Sequence, residues 1–281
     1  MIDYYLLIKP GIIFGNLFTL VAGYLLGSHG VVNVWLFTAT FFGLMAIIAS
    51  ACVFNNYIDR FADQKMERTK TRPLALGKIS NTNALLFGGV LLLLSNGILI
   101  AWTNFSVALL ANLGFFIYVG IYSLIKGKSV LATPIGSIAG ALPPVIGYVA
   151  GSGSIDLGAW ILFAMMVCWQ MPHFFAITLL HLDDYAKADI AVLPLVKGIH
   201  RTKIHMILYI VAFLATAAAL TFFSYTGWVF LLTALIMGGA WLVLSIKGIN
   251  SQNDRKWGRE MFVFSLVTIF ALFAVMPFDA I

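Results

Sequence analysis

Residues 32–54, VNVWLFTATFFGLMAIIASACVF, run for 23 positions without a charged side chain. A bilayer core of roughly 30 Å needs about 20 apolar residues in helical form, so this stretch is long enough to cross it. Similar runs fall at 10–28, 82–102, 105–124, 130–150, 158–180, 204–224, 227–247 and 260–277. The joint between Trp102 and Phe105 is the shortest, with two spans linked by almost nothing. Of the 281 residues 61% are hydrophobic and 10% charged, where soluble domains carry about 25% charged residues. A water-soluble globule is excluded. The expected fold is all-α, a polytopic membrane bundle of about nine transmembrane helices forming one domain over residues 1–281.

The charge pattern orients this bundle. A net charge of +6 would suit nucleic acid or anionic lipid, but its distribution points elsewhere. With the N-terminus inside, all 17 Lys and Arg lie in or beside segments 1–9, 55–81, 125–129, 181–203 and 248–259. The opposite loops carry none. Positive charge is retained on the cytoplasmic side during insertion, so one orientation of an odd number of spans accounts for the whole pattern. No short apolar core followed by a small-residue cleavage site opens the sequence, and the first segment is expected to be a retained span. Cys52 and Cys168 fall inside predicted helices and are too few for a disulfide framework; packing is their expected role.

Two of the inside loops exceed what connection requires, and long loops tend to carry function. The first, 55–81, reads NNYIDRFADQKMERTKTRPLALGKISN, and the second, 181–203, reads HLDDYAKADIAVLPLVKGIHRTK. In the first, Asn55, Asp59 and Asp63 are spaced by four, which places them on one helical face as a column prolonging the second span. Such oxygen ligands suit Mg²⁺, which commonly takes one or two carboxylates plus substrate phosphates and water. A solvated helix end, with the aspartates paired to Arg60 and Lys65, is the competing reading. Lys65, Arg68, Lys70 and Arg72 follow within nine residues of Asp63. Arginine grips phosphate through a planar donor fork, so acids and bases together suggest an anion bridged by metal. The second loop repeats the theme with Asp183, Asp184, Lys187 and Asp189, and the two clusters facing each other could hold two or three Mg²⁺ ions.

These motifs resemble the UbiA superfamily of intramembrane prenyltransferases. The segments that carry the resemblance are KPGIIFGN at 9–16, CVFNNYIDRFADQKMERTKTRPL at 52–74, GALPPVIGY at 140–148, WQMPHFFAI at 169–177 and DYAKADIAVLPLVKG at 184–198. WQMPHF and LPLVKG favour the branch that acts on heme over one acting on a quinone precursor. The resemblance implies that Asn55, Asp59, Asp63 and Asp184 bind Mg²⁺ and serve catalysis. It implies diphosphate contacts from Arg68, Arg72, Tyr122 and Lys126 or Lys128, and Lys65, in the same basic run, is a further diphosphate candidate from its position. It further implies farnesyl diphosphate and heme b as substrates, heme O as product, and a heme A synthase or terminal oxidase assembly as a downstream partner. Two departures matter: Ala188 stands four residues after Asp184, where an acid is frequent, and the basic stretch IKGK at 125–128 is short.

His173 follows Pro172 in the sixth predicted span. Its imidazole is a candidate heme contact, either as iron ligand or as donor to a propionate, and the bland alternative is a hydrogen bond inside the bundle. Pro134, Pro143 and Pro144 are expected to shape the cavity. A prenyltransferase acting on a quinone precursor or chlorin, and a transporter of lipid or anions, are the rival functions.

Overall fold

The computed structural model describes residues 2–281, and among them nine helices are long and apolar enough to cross a membrane. In chain order they are α1 (Pro10–Gly27), α2 (Val34–Asp63), α3 (Asn81–Trp102), α4 (Phe105–Ile125), α5 (Ala132–Ser152), α6 (Leu157–Leu180), α7 (Ile199–Phe222), α8 (Trp228–Asn250) and α9 (Asp254–Phe278). A short helix, Ile2–Leu7, precedes α1. Large apolar side chains such as Leu93, Ile100 and Trp228 face outward, as a lipid solvent allows.

Side-chain caps fix where the helices start. Asn33, Ser80, Asn104, Asp156 and Asn253 each accept a backbone N–H from the first turn of the following helix, meeting donors that the helix cannot pair itself. Asn104 explains how two spans meet across two residues: Thr103 turns extended, and Asn104 at once caps α4. Other boundaries move outward from the apolar runs. Helix α2 continues nine residues past position 54, α7 begins at Ile199 rather than 204, and α9 at Asp254 rather than 260. Apolarity marks the membrane crossing, whereas the helical hydrogen-bond ladder continues into water wherever no breaker intervenes. Helix α6 likewise runs through Pro172 without a break.

Helices α1 and α5 pack backbone to backbone. Gly23 and Gly27 on one helix, and Gly147 and Gly151 on the other, bring backbone against backbone: a Cβ on any of the four would drive into a main-chain carbonyl of the partner helix. Small residues four apart permit this approach in membranes, where helices associate by packing and not by exclusion of water. The four glycines set the distance between the first and fifth spans, hence the width of the space between them.

The two long loops form a joint cap at one end of the bundle. Met66 of the first packs with Ala188, Ile190 and Val192 of the second. The Asp184 carboxylate accepts the backbone N–H of Glu67 at 3.2 Å and of Arg68 at 3.4 Å. Replacing Gly147 by Val forces α1 and α5 apart, an overpacking cost of about 1–3 kcal/mol or more. The expected outcome is aggregated protein or a midpoint of thermal unfolding in detergent several degrees lower; an unchanged midpoint would show that the helix pair has slack.

Candidate active site

The last turns of α2 carry Asn55, Asp59 and Asp63, and all three are buried, at 1%, 7% and 1% exposure. Carboxylates taken out of water must be compensated by charge and hydrogen bonds. Here each member of the column meets a cation from a different part of the chain. Lys9 Nζ donates to Asn55 Oδ1 at 2.6 Å, Lys126 Nζ to Asp59 Oδ2 at 2.7 Å, and Arg72 Nη1 to both Asp63 oxygens at 2.8 and 3.0 Å. Because ammonium only donates, the Asn55 atom facing Lys9 is its oxygen. That leaves the Asn55 amide nitrogen to donate to Asp59 Oδ2 and to Ser123 Oγ.

The solvated pairing with Arg60 and Lys65 does not form. The Arg60 guanidinium lies over the Tyr57 and Phe61 rings, 4.1 and 4.3 Å from their centroids, and Lys65 is exposed. Lys128 is exposed too, so Lys126 is the lysine that reaches the column. Lys9 holds a left-handed turn, φ 54°, just before α1, and loss of surrounding water lowers its ammonium to about 8, with the positive charge of Arg72 pushing the same way. Although burial opposes it, Tyr122 and Asp59 hold Lys126 above its ordinary value.

Helix α4 opens into a π-helical stretch at Phe116–Tyr122, a local widening frequent at functional sites. Tyr118 and Tyr122 stack there, centroids 5.2 Å apart. Ser123 Oγ ties the stretch by donating to the Tyr118 carbonyl at 2.8 Å. Gly136 of α5 leaves room for the Tyr122 ring, which a Cβ would meet at 2.9 Å. From this charged and phenolic end a cavity of about 610 Å³ runs inward between the helices; Arg68, Arg72 and Tyr122 line one end and Trp169, Gln170 and His173 another.

His173 is held on three sides. Its ring stacks on Trp169 at 4.7 Å and packs against Phe262 at 5.1 Å, and Nδ1 is 2.7 Å from Ser265 Oγ. Ser265 Oγ already donates its one hydrogen to the Phe262 carbonyl at 2.6 Å, so it accepts from His173 Nδ1–H. This assigns the tautomer and leaves Nε2 with a bare lone pair.

Asp184 is engaged with the backbone of the first loop, joining the clusters through main-chain hydrogen bonds. Asp183, Arg68 and Lys187 line a second, open hollow of about 410 Å³ at the mouth. Among the described residues, no three His, Cys, Asp or Glu side chains converge as a self-sufficient metal cage. The donor set nonetheless fits Mg²⁺, whose sites complete two carboxylates with phosphate oxygens and water. Asn55, Asp59 and Asp63 are hard oxygen donors on one face, beside cations able to take an anion. The sequence pattern alone gives Lys9, Ser123, Tyr118, Gln170 and Ser265 no place in this site. Only Lys9 carries a signal, as the single base before the first span.

The chain matches the UbiA prenyltransferase family over residues 16–267. It is 50% identical to protoheme IX farnesyltransferase of Protochlamydia amoebophila, over 100% of both chains. It is 47% identical to protoheme IX farnesyltransferase of Yersinia enterocolitica, over 99% of this chain and 95% of the other. The chain belongs to the UbiA prenyltransferase family. The fold agrees: it superposes on a digeranylgeranylglyceryl phosphate synthase at TM-score 0.83 and 17% identity, covering 99% of this chain and 97% of the other. A UbiA homologue from Archaeoglobus fulgidus bound to GPP and Mg²⁺ gives TM-score 0.61 at 16% identity, covering 98% and 99%. As a member of this family the chain is a multi-pass membrane protein and a prenyltransferase, which sets the transporter reading aside.

Asp59→Ala and Asp63→Ala should each lower prenyl transfer by roughly 100-fold or more, the scale of losing one preorganised electrostatic contact, while the protein still inserts and purifies as one species. Turnover near wild type in either variant would remove the column from the chemistry. Arg72→Lys keeps a charge beside Asp63 but removes the planar donor fork available to a diphosphate, and should raise KM for the prenyl diphosphate several-fold, by roughly 1 kcal/mol; an unchanged KM would leave Arg72 as the partner of Asp63 alone.

Proposed function

We propose that this protein transfers a farnesyl group from farnesyl diphosphate to the vinyl group of heme b, with addition of water, giving heme O and diphosphate. The observation that carries the reading is one continuous cavity, cationic and oxygen-rich where a diphosphate would sit, and lined by Trp169 and a fixed imidazole lone pair where a porphyrin would lie. Full-length identity to protoheme IX farnesyltransferases supports the choice of heme over a quinone precursor or chlorin.

Mg²⁺ would be held by Asn55, Asp59 and Asp63, with Asp184 from the second loop, and would supply neutralisation of charge on the leaving diphosphate. Arg68, Arg72, Lys126 and Tyr122 line the same end and contribute fixed donors where that charge develops, a stabilisation that is largest in a water-poor site. Once an anion arrives, the cations now shared with Asp59 and Asp63 can turn to it, so the pairs seen here keep the site charged without collapsing it. No residue need form a covalent bond to the prenyl group. Trp169, Phe262 and their neighbours exclude stray water from the allylic cation. His173 meets the heme through Nε2. With Nδ1–H committed to Ser265, the neutral ring offers a lone pair to iron and no donor to a propionate. The bonded Nδ1–H fixes ring orientation, as such partners do for iron- and zinc-bound histidines.

The protein works in the cell's inner membrane with its N-terminus and both acidic loops in the cytoplasm, where farnesyl diphosphate and Mg²⁺ are dissolved. The placement of Lys and Arg supports that orientation. Heme O, more lipophilic after farnesylation, leaves through the bilayer towards a heme A synthase or terminal oxidase assembly.

The reading is tested in liposomes carrying the purified protein, farnesyl diphosphate and heme b. With Mg²⁺ the extracted heme should gain the mass of one farnesyl group and one hydroxyl, and a chelator should abolish the gain. Unmodified heme alongside prenylation of a quinone precursor would contradict it. His173→Ala should shift the Soret band of bound heme and weaken its binding, while affinity for farnesyl diphosphate is retained. Ser265→Ala should weaken heme binding by about 10-fold or more, as loss of a supporting hydrogen bond does. A Soret band unmoved in His173→Ala would exclude iron ligation.

A further inference from the structure

Gln170 lies near the middle of α6, one turn before His173, and borders the same cavity. Its side chain is 4% exposed, and Oε1 is buried without a hydrogen-bond partner. The amide rests against Gly140 of α5, where a Cβ would meet Oε1 first and stand 2.8 Å from Nε2; only glycine leaves room for it. An amide buried in an apolar interior is unfavourable until something completes its hydrogen bonds; Oε1 is sealed against α5 while Nε2 is not, and a half-turn of the amide exchanges the two and presents the oxygen to the cavity. Depth follows from α5. Gly136 adjoins the Tyr122 ring, whose neighbour Lys126 holds Asp59, and Gly140 is four residues, about 6 Å, further in. The Gln170 amide therefore sits about one helical turn below the phenolic end of the cavity, on the prenyl side of the diphosphate position.

We propose that Gln170 holds the water molecule that adds to the heme in the second half of the reaction. The inference rests on the function proposed above. In the first half the C1–O bond of farnesyl diphosphate breaks, its electron pair leaving on the diphosphate, and the vinyl π pair forms a bond from the terminal vinyl carbon to C1. The vinyl carbon attached to the ring is left electron-deficient. Water held by the amide then forms the C–O bond with an oxygen lone pair, and its surplus proton passes to the diphosphate, the base that the same turnover releases. A neutral amide is suited to this role because its oxygen accepts from the water and aims the lone pair, whereas a thiolate or carboxylate in its place would itself trap the cation. If no water is held, the cation loses a proton from the adjoining methylene and gives an alkene lighter than heme O by one water.

The test is the ratio of heme O to that alkene, read by mass after extraction, whatever the total rate. Wild type, Gln170→Leu and Gln170→Glu are compared in liposomes with farnesyl diphosphate and heme b. Gln170→Leu, similar in volume but without an acceptor, should lower the ratio on the order of tenfold, the effect of one lost transition-state interaction. Gln170→Glu, protonated in this apolar setting, keeps an acceptor oxygen and should restore most of it. A wild-type ratio in Gln170→Leu would overturn the proposal. So would a loss of all prenylated heme in both variants, because the residue would then serve folding or binding and not the second step. Wild-type protein that yields neither product would strike the proposed function itself and not the role of Gln170.

Discussion

Asp59 and Asp63 stand at the buried end of α2, where carboxylates out of water need compensating charge and hydrogen bonds. Their compensation is drawn from three separate places: the turn before α1, the end of α4 and the far side of the first long loop. Lys9, Lys126 and Arg72 converge on a column of three oxygen-bearing side chains, and to do so those segments must be brought to one point. The π-helical stretch of α4 and the left-handed turn at Lys9 are local departures that deliver two of these cations. The cap formed by the two loops, sealed by Met66 and by Asp184, closes the same end.

A buried array of alternating carboxylates and cations is poorly suited to stability alone, since apolar residues of similar volume pack at less cost. It is well suited to receiving a metal–diphosphate, whose positive and negative parts can exchange with partners already in place. From there the cavity grades into stacked tyrosines and then Trp169, His173 and Phe262. That gradient matches a reaction that begins with charge separation at a wet end and proceeds through a carbocation that must be kept from bulk water.

Much of this is legible in the sequence because membrane solvation writes itself in simple periods. The nine spans appear as apolar runs, and the four-residue spacing of Asn55, Asp59 and Asp63 places them on one face of a helix that does continue through them. What sequence does not supply is partnership across the bundle. Arg60 and Lys65 are the nearest bases to the aspartates along the chain, yet Arg72 and Lys126 are the ones that meet them. Lys126 and Lys128 are indistinguishable as letters, and only the direction of the chain after Ile125 separates them. The glycine contacts of α1 with α5 are hidden because 25 glycines carry no mark of which face a neighbour's backbone. Gln170 is silent inside an apolar run, since an unpaired amide is recognisable only once its surroundings are known.

The central claim is that the oxygen column becomes a metal site when a diphosphate completes it. Mn²⁺, a paramagnetic stand-in for Mg²⁺, can be titrated into the purified protein and followed by electron paramagnetic resonance, with and without a non-ionisable thio analogue of farnesyl diphosphate. The account predicts weak Mn²⁺ binding alone, tight binding with the analogue, and loss of the tight component in Asp59→Asn. Tight binding without the analogue, or none with it, would contradict the account.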